Sequence, residues 1–134
     1  EWPANCEVRG AAPTREALYQ DGDVLLFPAR FNGIGLEQLE AMASGMPVIA
    51  TDAPPMNESP CLDIIRIASQ QVAQRRRARP ILEYTPSASH LAKLLRTWHG
   101  HTITEHSRTA RRFAESRSWQ QATNRFMEAI TSDL

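Results

Sequence analysis

Hydrophobic positions along this chain fall into unbroken runs early and spaced stripes later. "VLLFP" (Val24–Pro28) and "PVIATD" (Pro47–Asp52) are nearly continuous apolar runs, as expected of strands buried on both faces. Between them a loop, Ala29–Gly35, leads into a helix expected from about Leu36 to Ser44, with Gly45 as its left-handed stop. Strand, loop, helix and strand in so short a span predict two parallel neighbours joined through a helix, hence an α/β fold.

The flanks are read the same way. "CEVRG" (Cys6–Gly10) predicts a short strand. Thr14 as N-cap, Glu16 in the first turn and apolar Ala17 and Leu18 predict a short helix ending near Gly22. After Asp52, "APPMNESP" holds too many prolines for regular structure, and "LDIIRIA" and "PILEY" suit short peripheral strands around "QQVAQRRRAR". Thr85 as cap and Pro86 at the first helical position open a helix whose Leu91, Leu94, Leu95 and Trp98 follow a helical stripe up to Gly100. A second helix over about Glu105–Arg117 is expected to bury Ala110, Phe113 and Ala114. The last starts at a Ser118/Gln121 capping box and is expected to bury Trp119, Ala122, Phe126 and Ile130. The reading is one Rossmann-like domain over 1–134, with closing helices over 85–134.

The totals change this picture only in one respect. An apolar share of 42% and a charged share of 22% are ordinary for a globular domain, and the formal net charge is zero, so bulk electrostatics argue against a nucleic-acid or membrane partner. The zero conceals a division: residues 1–63 carry three arginines against ten acids, and residues 64–134 carry twelve basic residues against five acids. Such a split marks two faces, or a contact with something outside the chain. Cys6 and Cys61 lack any metal-ligand spacing and read as reduced, buried or half-buried thiols of a cytoplasmic protein. No apolar run reaches the roughly 20 residues of a membrane span.

The candidate chemistry lies in "FNGIGLEQLEAMASG", Phe31–Gly45. At about 100° per residue, Leu36, Leu39, Met42 and Ala43 are expected to make one apolar face; with Leu36 at 0°, Leu39 falls near 300° and Ala43 near 340°, so Glu40 near 40° is expected inside or beside the stripe. A buried carboxylate needs partners, either neighbouring N–H groups or the hydroxyls of a ligand. Gly33 and Gly35 free the backbone at a helix N-terminus, which favours anions, and the loop follows the end of a parallel strand, where open α/β sheets bind ligands. An anion-cradling loop with a carboxylate little more than a turn deeper suits a nucleotide carrying a sugar.

The stretch "DVLLFPARFNGIGLEQLEAMASGMPVIATD" closely resembles the C-terminal domain of GT-B glycosyltransferases of the retaining group 1, family 4 set. The residues that carry the resemblance are Phe27-Pro28, Gly33-Ile34-Gly35-Leu36, Leu39-Glu40-Ala41-Met42-Ala43, Gly45 and Pro47-Val48-Ile49-Ala50-Thr51. The resemblance implies a nucleotide-sugar bound by this domain, a glycan or lipid-linked acceptor bound by an N-terminal domain, and transfer with retention and no metal or other cofactor. It implies that Glu40 holds the ribose hydroxyls, and that Gly33, Ile34, Gly35 and Leu36 face the diphosphate and donor sugar. Asn32 stands where the family keeps a first glutamate that contacts the transferred sugar; it can hydrogen-bond a hydroxyl but brings no charge. The family's Gly-Gly after the second strand is replaced by Pro54-Pro55, and Glu58 is left as a cleft-edge residue at most. The segment that grips the diphosphate and the acceptor domain would both lie upstream, so the chain is expected to be a C-terminal portion that does not turn over substrate alone.

Other signals are weaker. Arg30 beside the loop is placed either on a phosphate or in a surface salt bridge. Arg75, Arg76, Arg77 and Arg79 read as a solvated strand edge or loop, with phosphate, an anionic membrane surface or the N-terminal domain as the alternatives. A peripheral contact with the inner face of the membrane therefore stands beside the cytoplasmic reading. His99, His101 and His106 read as a polar inter-helix turn rather than a metal site. The rival to an enzyme is a degenerate, non-catalytic binding or interaction module; a plain dinucleotide-binding domain ranks last, lacking GxGxxG.

Overall fold

The computed structural model describes residues 3–73 and 80–132, with the exception of the Ala73 side chain. Their order is a single 3-10 turn (Glu16–Tyr19), then β1 (Leu25–Phe27), α1 (Leu36–Ala43), β2 (Val48–Thr51) and β3 (Asp63–Ile65). β4 (Ile67–Ala73), β5 (Ile81–Pro86), α2 (Ala88–Trp98), α3 (Thr104–Glu115) and α4 (Trp119–Ser132) follow. β1, β2 and β3 form a parallel sheet in that order, with Leu25 opposite Val48 and Ile49 opposite Asp63. β4 and β5 form a separate antiparallel hairpin. The expected parallel α/β unit is present; "DII" adds a third strand at the edge of the parallel sheet, and the peripheral strands expected around "QQVAQRRRAR" form the separate hairpin.

β2 explains why its sequence is continuously apolar. Alternate residues of a strand face opposite sides. Val48 and Ala50 pack with Ala41, Met42 and Ala110 of α1 and α3, while Ile49 packs with Leu62, Ile65 and Leu94 beneath α2. Helices thus cover both faces of a Rossmann-like sheet. β1 is an edge strand and was expected to be buried on both faces, yet its central Leu26 is 39% exposed. A run of apolar residues cannot distinguish a central strand from its neighbour at the edge.

Three hydrogen bonds hold α1 and α2 in place. The Ser107 hydroxyl donates to the Gly45 carbonyl at 2.6 Å, and Arg111 donates to the Ala43 carbonyl, so α3 supplies donors and a cation to the C-terminal end of α1. Gly45 adopts φ +79°, which favours glycine, and a Cβ there would stand tightly against the Ser107 oxygen at 3.2 Å. On the other face, Trp98 Nε1 donates to Asp63 Oδ2 at 3.0 Å, pinning α2 to β3.

Several expectations are corrected. Cys6–Gly10 forms no strand: the segment is exposed, without a neighbouring ladder, and Arg9 turns to Glu7 and Asp21. Cys6 is exposed, whereas Cys61 is half-buried and burial raises its thiol pKa; both are free thiols. The helix expected after Thr14 is one 3-10 turn, although Thr14 Oγ1 does accept from the Ala17 N–H. Thr85 and Pro86 end β5, and the cap of α2 is Ser87, whose hydroxyl accepts from His90 N–H. α3 behaves as expected, with Ala110 buried and Phe113 and Ala114 packed against the core.

α4 does not. Its Trp119, Ala122, Phe126 and Ile130 are exposed, Trp119 to 89%, because no described residue presents an apolar surface to that stripe. None of the described helices is long and apolar enough to cross a membrane. The arginine run Arg75, Arg76, Arg77 and Arg79 lies outside the described residues.

Candidate functional site

The site is built where β1 runs through its loop into α1. Gly35 takes φ +73° just before the helix, a conformation that favours glycine, and a Cβ there would meet Gln38 Oε1 at 3.0 Å. Leu39 N–H donates to the Gly35 carbonyl, opening the helix. No protein acceptor among the described residues takes the N–H groups of Leu36, Glu37 and Gln38, and no side chain caps them. These unmet donors at the positive end of a helix are available to an anion.

Asn32 organises the loop from within. Its Oδ1 accepts from Ile34 N–H at 3.0 Å and Gly35 N–H at 2.5 Å, and its Nδ2 donates to Glu37 Oε2 at 3.2 Å. The sequence placed Asn32 toward a sugar; the structure turns its oxygen back onto the backbone. Two of the loop's N–H groups are therefore already satisfied, and the anion-accepting donors shift to the first turn of α1.

The helix is rotated relative to the sequence expectation. Its buried residues are Gln38, Ala41 and Met42, while Leu36 is 54% exposed and Ala43 is also exposed. Gln38 is admitted to the interior because its Nε2 donates to the Met56 carbonyl at 3.0 Å. Glu40 is consequently on a flank rather than in the apolar stripe, with its side chain 26% exposed. Its Oε2 accepts from the Tyr19 hydroxyl at 3.0 Å and its Oε1 pairs with Arg15 at 2.9 Å. The carboxylate is thus satisfied at rest by one phenol and one cation whose own side chain is 74% exposed.

The 3-10 turn supplies Arg15 and Tyr19, two site residues the sequence reading did not find. Tyr19 lies 21 positions from Glu40, so no local spacing could announce the pair. The Tyr19 phenol is pushed up to about 12, first by burial, then by its hydrogen bond to Glu40 and the charges of Glu40 and Glu37, with Arg15 opposing. A folded-state value above the ordinary one means that this interaction stabilises the fold fully below pH 10 and is lost as pH rises from 10 to about 12. In a phenolate absorbance titration, the Tyr19 phenol is expected to ionise late, and Tyr19→Phe should remove that late step.

Arg30 forms a salt bridge with the hairpin. It meets Glu83 of β5 at 3.2 Å, while its carbonyl accepts from Tyr84 N–H, tying the hairpin to the loop after β1. Glu58 lines a depression of about 170 Å³ beside the loop together with Gly35, Gln38, Phe113 and Arg117. Arg117 stacks over the Phe113 ring at 4.9 Å. His101 and His106 lie in T-shaped arrangements with Trp98 at the α2–α3 turn. Among the described residues, no three His, Cys, Asp or Glu side chains are grouped to hold a metal ion.

A family model described as "Glycosyl transferases group 1" matches residues 2–70, just over half the chain, and the match spans β1, the loop, α1, β2 and β3. The chain belongs to the group 1 glycosyltransferases. No curated protein matches it. As a group 1 member it carries a sugar-transferase domain on a Rossmann-like sheet, and the matched region contains every residue of the loop and of the Tyr19–Glu40–Arg15 cluster.

Proposed function

We propose that this chain forms the donor-binding domain of a retaining, GT-B, family 4 glycosyltransferase. It takes a nucleotide-sugar, without a metal, and presents the sugar to a glycan or lipid-linked acceptor held by an N-terminal domain. The observation that carries this reading is the placement of Glu40, a half-buried carboxylate just over one turn inside a helix whose first three N–H groups are open. A diphosphate suits those donors, and the ribose hydroxyls suit the carboxylate. Tyr19 and Arg15 hold Glu40 in place before the ligand arrives. Being largely exposed, Arg15 is free to turn from Glu40 toward a phosphate when hydroxyls replace it.

A second reading, a non-catalytic binding module, is favoured by one observation: the oxygen of Asn32 is bonded to its own loop. Calorimetric titration of the intact protein with UDP, GDP and ADP and with UDP-glucose, GDP-mannose and ADP-glucose separates the readings. Binding of one set with sugar transfer or donor hydrolysis is the expected result. Binding without either reaction favours the module, and no binding to any ligand removes the donor-binding assignment.

A further inference from the structure

We propose that the depression of about 170 Å³ between the start of α1, the loop after β2 and the end of α3 is a second carbohydrate site, taking one neutral hexose ring. It is separate from the Glu40 cluster, and its ligand is not the nucleotide. The inference goes beyond the donor-binding reading and does not depend on it.

Gln38 points to a ligand there. It is 3% exposed, and its Nε2 donates to the Met56 carbonyl at 3.0 Å. A carbonyl only accepts, so that contact fixes which end of the amide is nitrogen and leaves Oε1 on the other side. No described residue donates to Oε1. Among the described residues no side-chain polar atom is both sealed from solvent and unpartnered, so Oε1 keeps an opening, and Gln38 lines the depression. A Cβ at position 35 would stand 3.0 Å from this oxygen, so Gly35 leaves it uncovered. A buried amide held at its nitrogen and open at its oxygen is a fixed acceptor for a hydroxyl.

Two unpaired charges line the same depression. Glu58 and Arg117 are exposed, form no ion pair with each other, and have no other side-chain hydrogen bond or ion pair among the described residues. The Arg117 guanidinium lies instead over the Phe113 ring at 4.9 Å, which steadies it. Ile34, Leu39 and Pro55 supply an apolar wall.

These groups match a hexose. Amide, carboxylate and guanidinium are planar, and hydroxyls can donate to Gln38 and Glu58 while accepting from Arg117. The apolar wall suits the C–H faces of the ring. One carboxylate offsets the one guanidinium, so a neutral ligand fits better than an anion.

Position on the helix separates this site from the nucleotide. Gln38 and Glu40 are two residues apart, which places them about 160° apart around α1. Tyr19 and Arg15 meet Glu40 on its own flank, and none of the three lines the depression.

Ligand-observed NMR and calorimetry on the intact protein test this, with the methyl glycosides of glucose, galactose and mannose as probes and UDP, GDP and ADP as competitors. One methyl hexoside is expected to bind in roughly the millimolar range and to stay bound when a nucleoside diphosphate is saturating. Tighter binding of maltose or cellobiose than of methyl glucoside assigns the ring to a glycan chain, and equal binding assigns it to a free sugar; both support the site. Glu58→Ala and Arg117→Ala should each weaken the hexoside about tenfold and leave the diphosphate within about twofold. Both side chains are exposed, so the fold is kept. Glu40→Ala should do the reverse. The inference is overturned if no methyl hexoside binds, or if both variants bind it like the wild type. Displacement of the hexoside by a nucleoside diphosphate or a nucleotide-sugar also overturns it, since the depression would then belong to the donor site. Hexoside binding with no nucleotide binding removes the donor-binding reading and leaves this inference standing.

Discussion

Glu40→Ala is expected to lower nucleotide affinity by at least about tenfold, with the loss equal for the diphosphate and the nucleotide-sugar. A ribose offers two hydroxyl donors, and hydrogen bonds to a charged group contribute about 1.5–3 kcal/mol each. The loss is equal because both ligands carry the same ribose. The variant has a second consequence, since the Tyr19 hydroxyl loses its acceptor. Glu40→Gln keeps an acceptor for Tyr19 while removing the charge that pairs with Arg15. It should melt close to the wild type and still bind weakly, which separates a ligand contact from a packing role. Calorimetric titration combined with a melting curve gives both readouts. Full affinity in Glu40→Ala would remove the ribose assignment.

Met42→Ala is expected to be among the most damaging single changes to stability, at about 2–5 kcal/mol. Met42 is fully buried, packed with Val48, Ala50 and Ala110 between α1, β2 and α3. Truncation leaves a cavity in a layer where neighbouring small side chains cannot move in to fill it. Leu36→Ala, by contrast, should change stability by less than about 1 kcal/mol, because Leu36 is more than half exposed. The sequence assigned both residues to one apolar face, so the pair is a direct measure of how the helix is rotated. Denaturant melts of the two variants should differ clearly in midpoint with similar slopes. Equal losses would mean that the helix packs on its Leu36 side.

That rotation shows what periodicity can and cannot specify. Leu36, Leu39, Met42 and Ala43 form an apolar stripe on a wheel, and the stripe was legible. Its role was not, because burial depends on what lies opposite. Gln38 enters the interior through one hydrogen bond to the Met56 carbonyl, a partner 18 positions away. Leu36 and Ile34 stay outside, where a singly exposed apolar side chain costs little. The same reasoning applies to α4, whose stripe was legible while its cover among the described residues was absent.

The candidate site divides along the same line. The placing of Gly33, Ile34, Gly35, Leu36 and Glu40 in the loop and first turns of α1 was legible because a contiguous local motif fixes their order. Asn32 was legible as a departure, but not as the residue that satisfies two loop N–H groups and steadies Glu37. Arg30 was left open between two partners, and its salt bridge to Glu83, 53 positions along the chain, was not legible in any local motif.

The sequence by itself determined the strand–loop–helix–strand unit, the helix stop at Gly45 and the family, since these rest on local propensity and contiguous motif. Tertiary structure alone decided which face of α1 is buried, that Tyr19 and Arg15 reach Glu40, and that Cys6–Gly10 forms no strand. The physical reason is common to all three. Backbone geometry and periodicity act over a few residues, whereas burial and the partners of a charge are set by segments that meet only when the chain has folded.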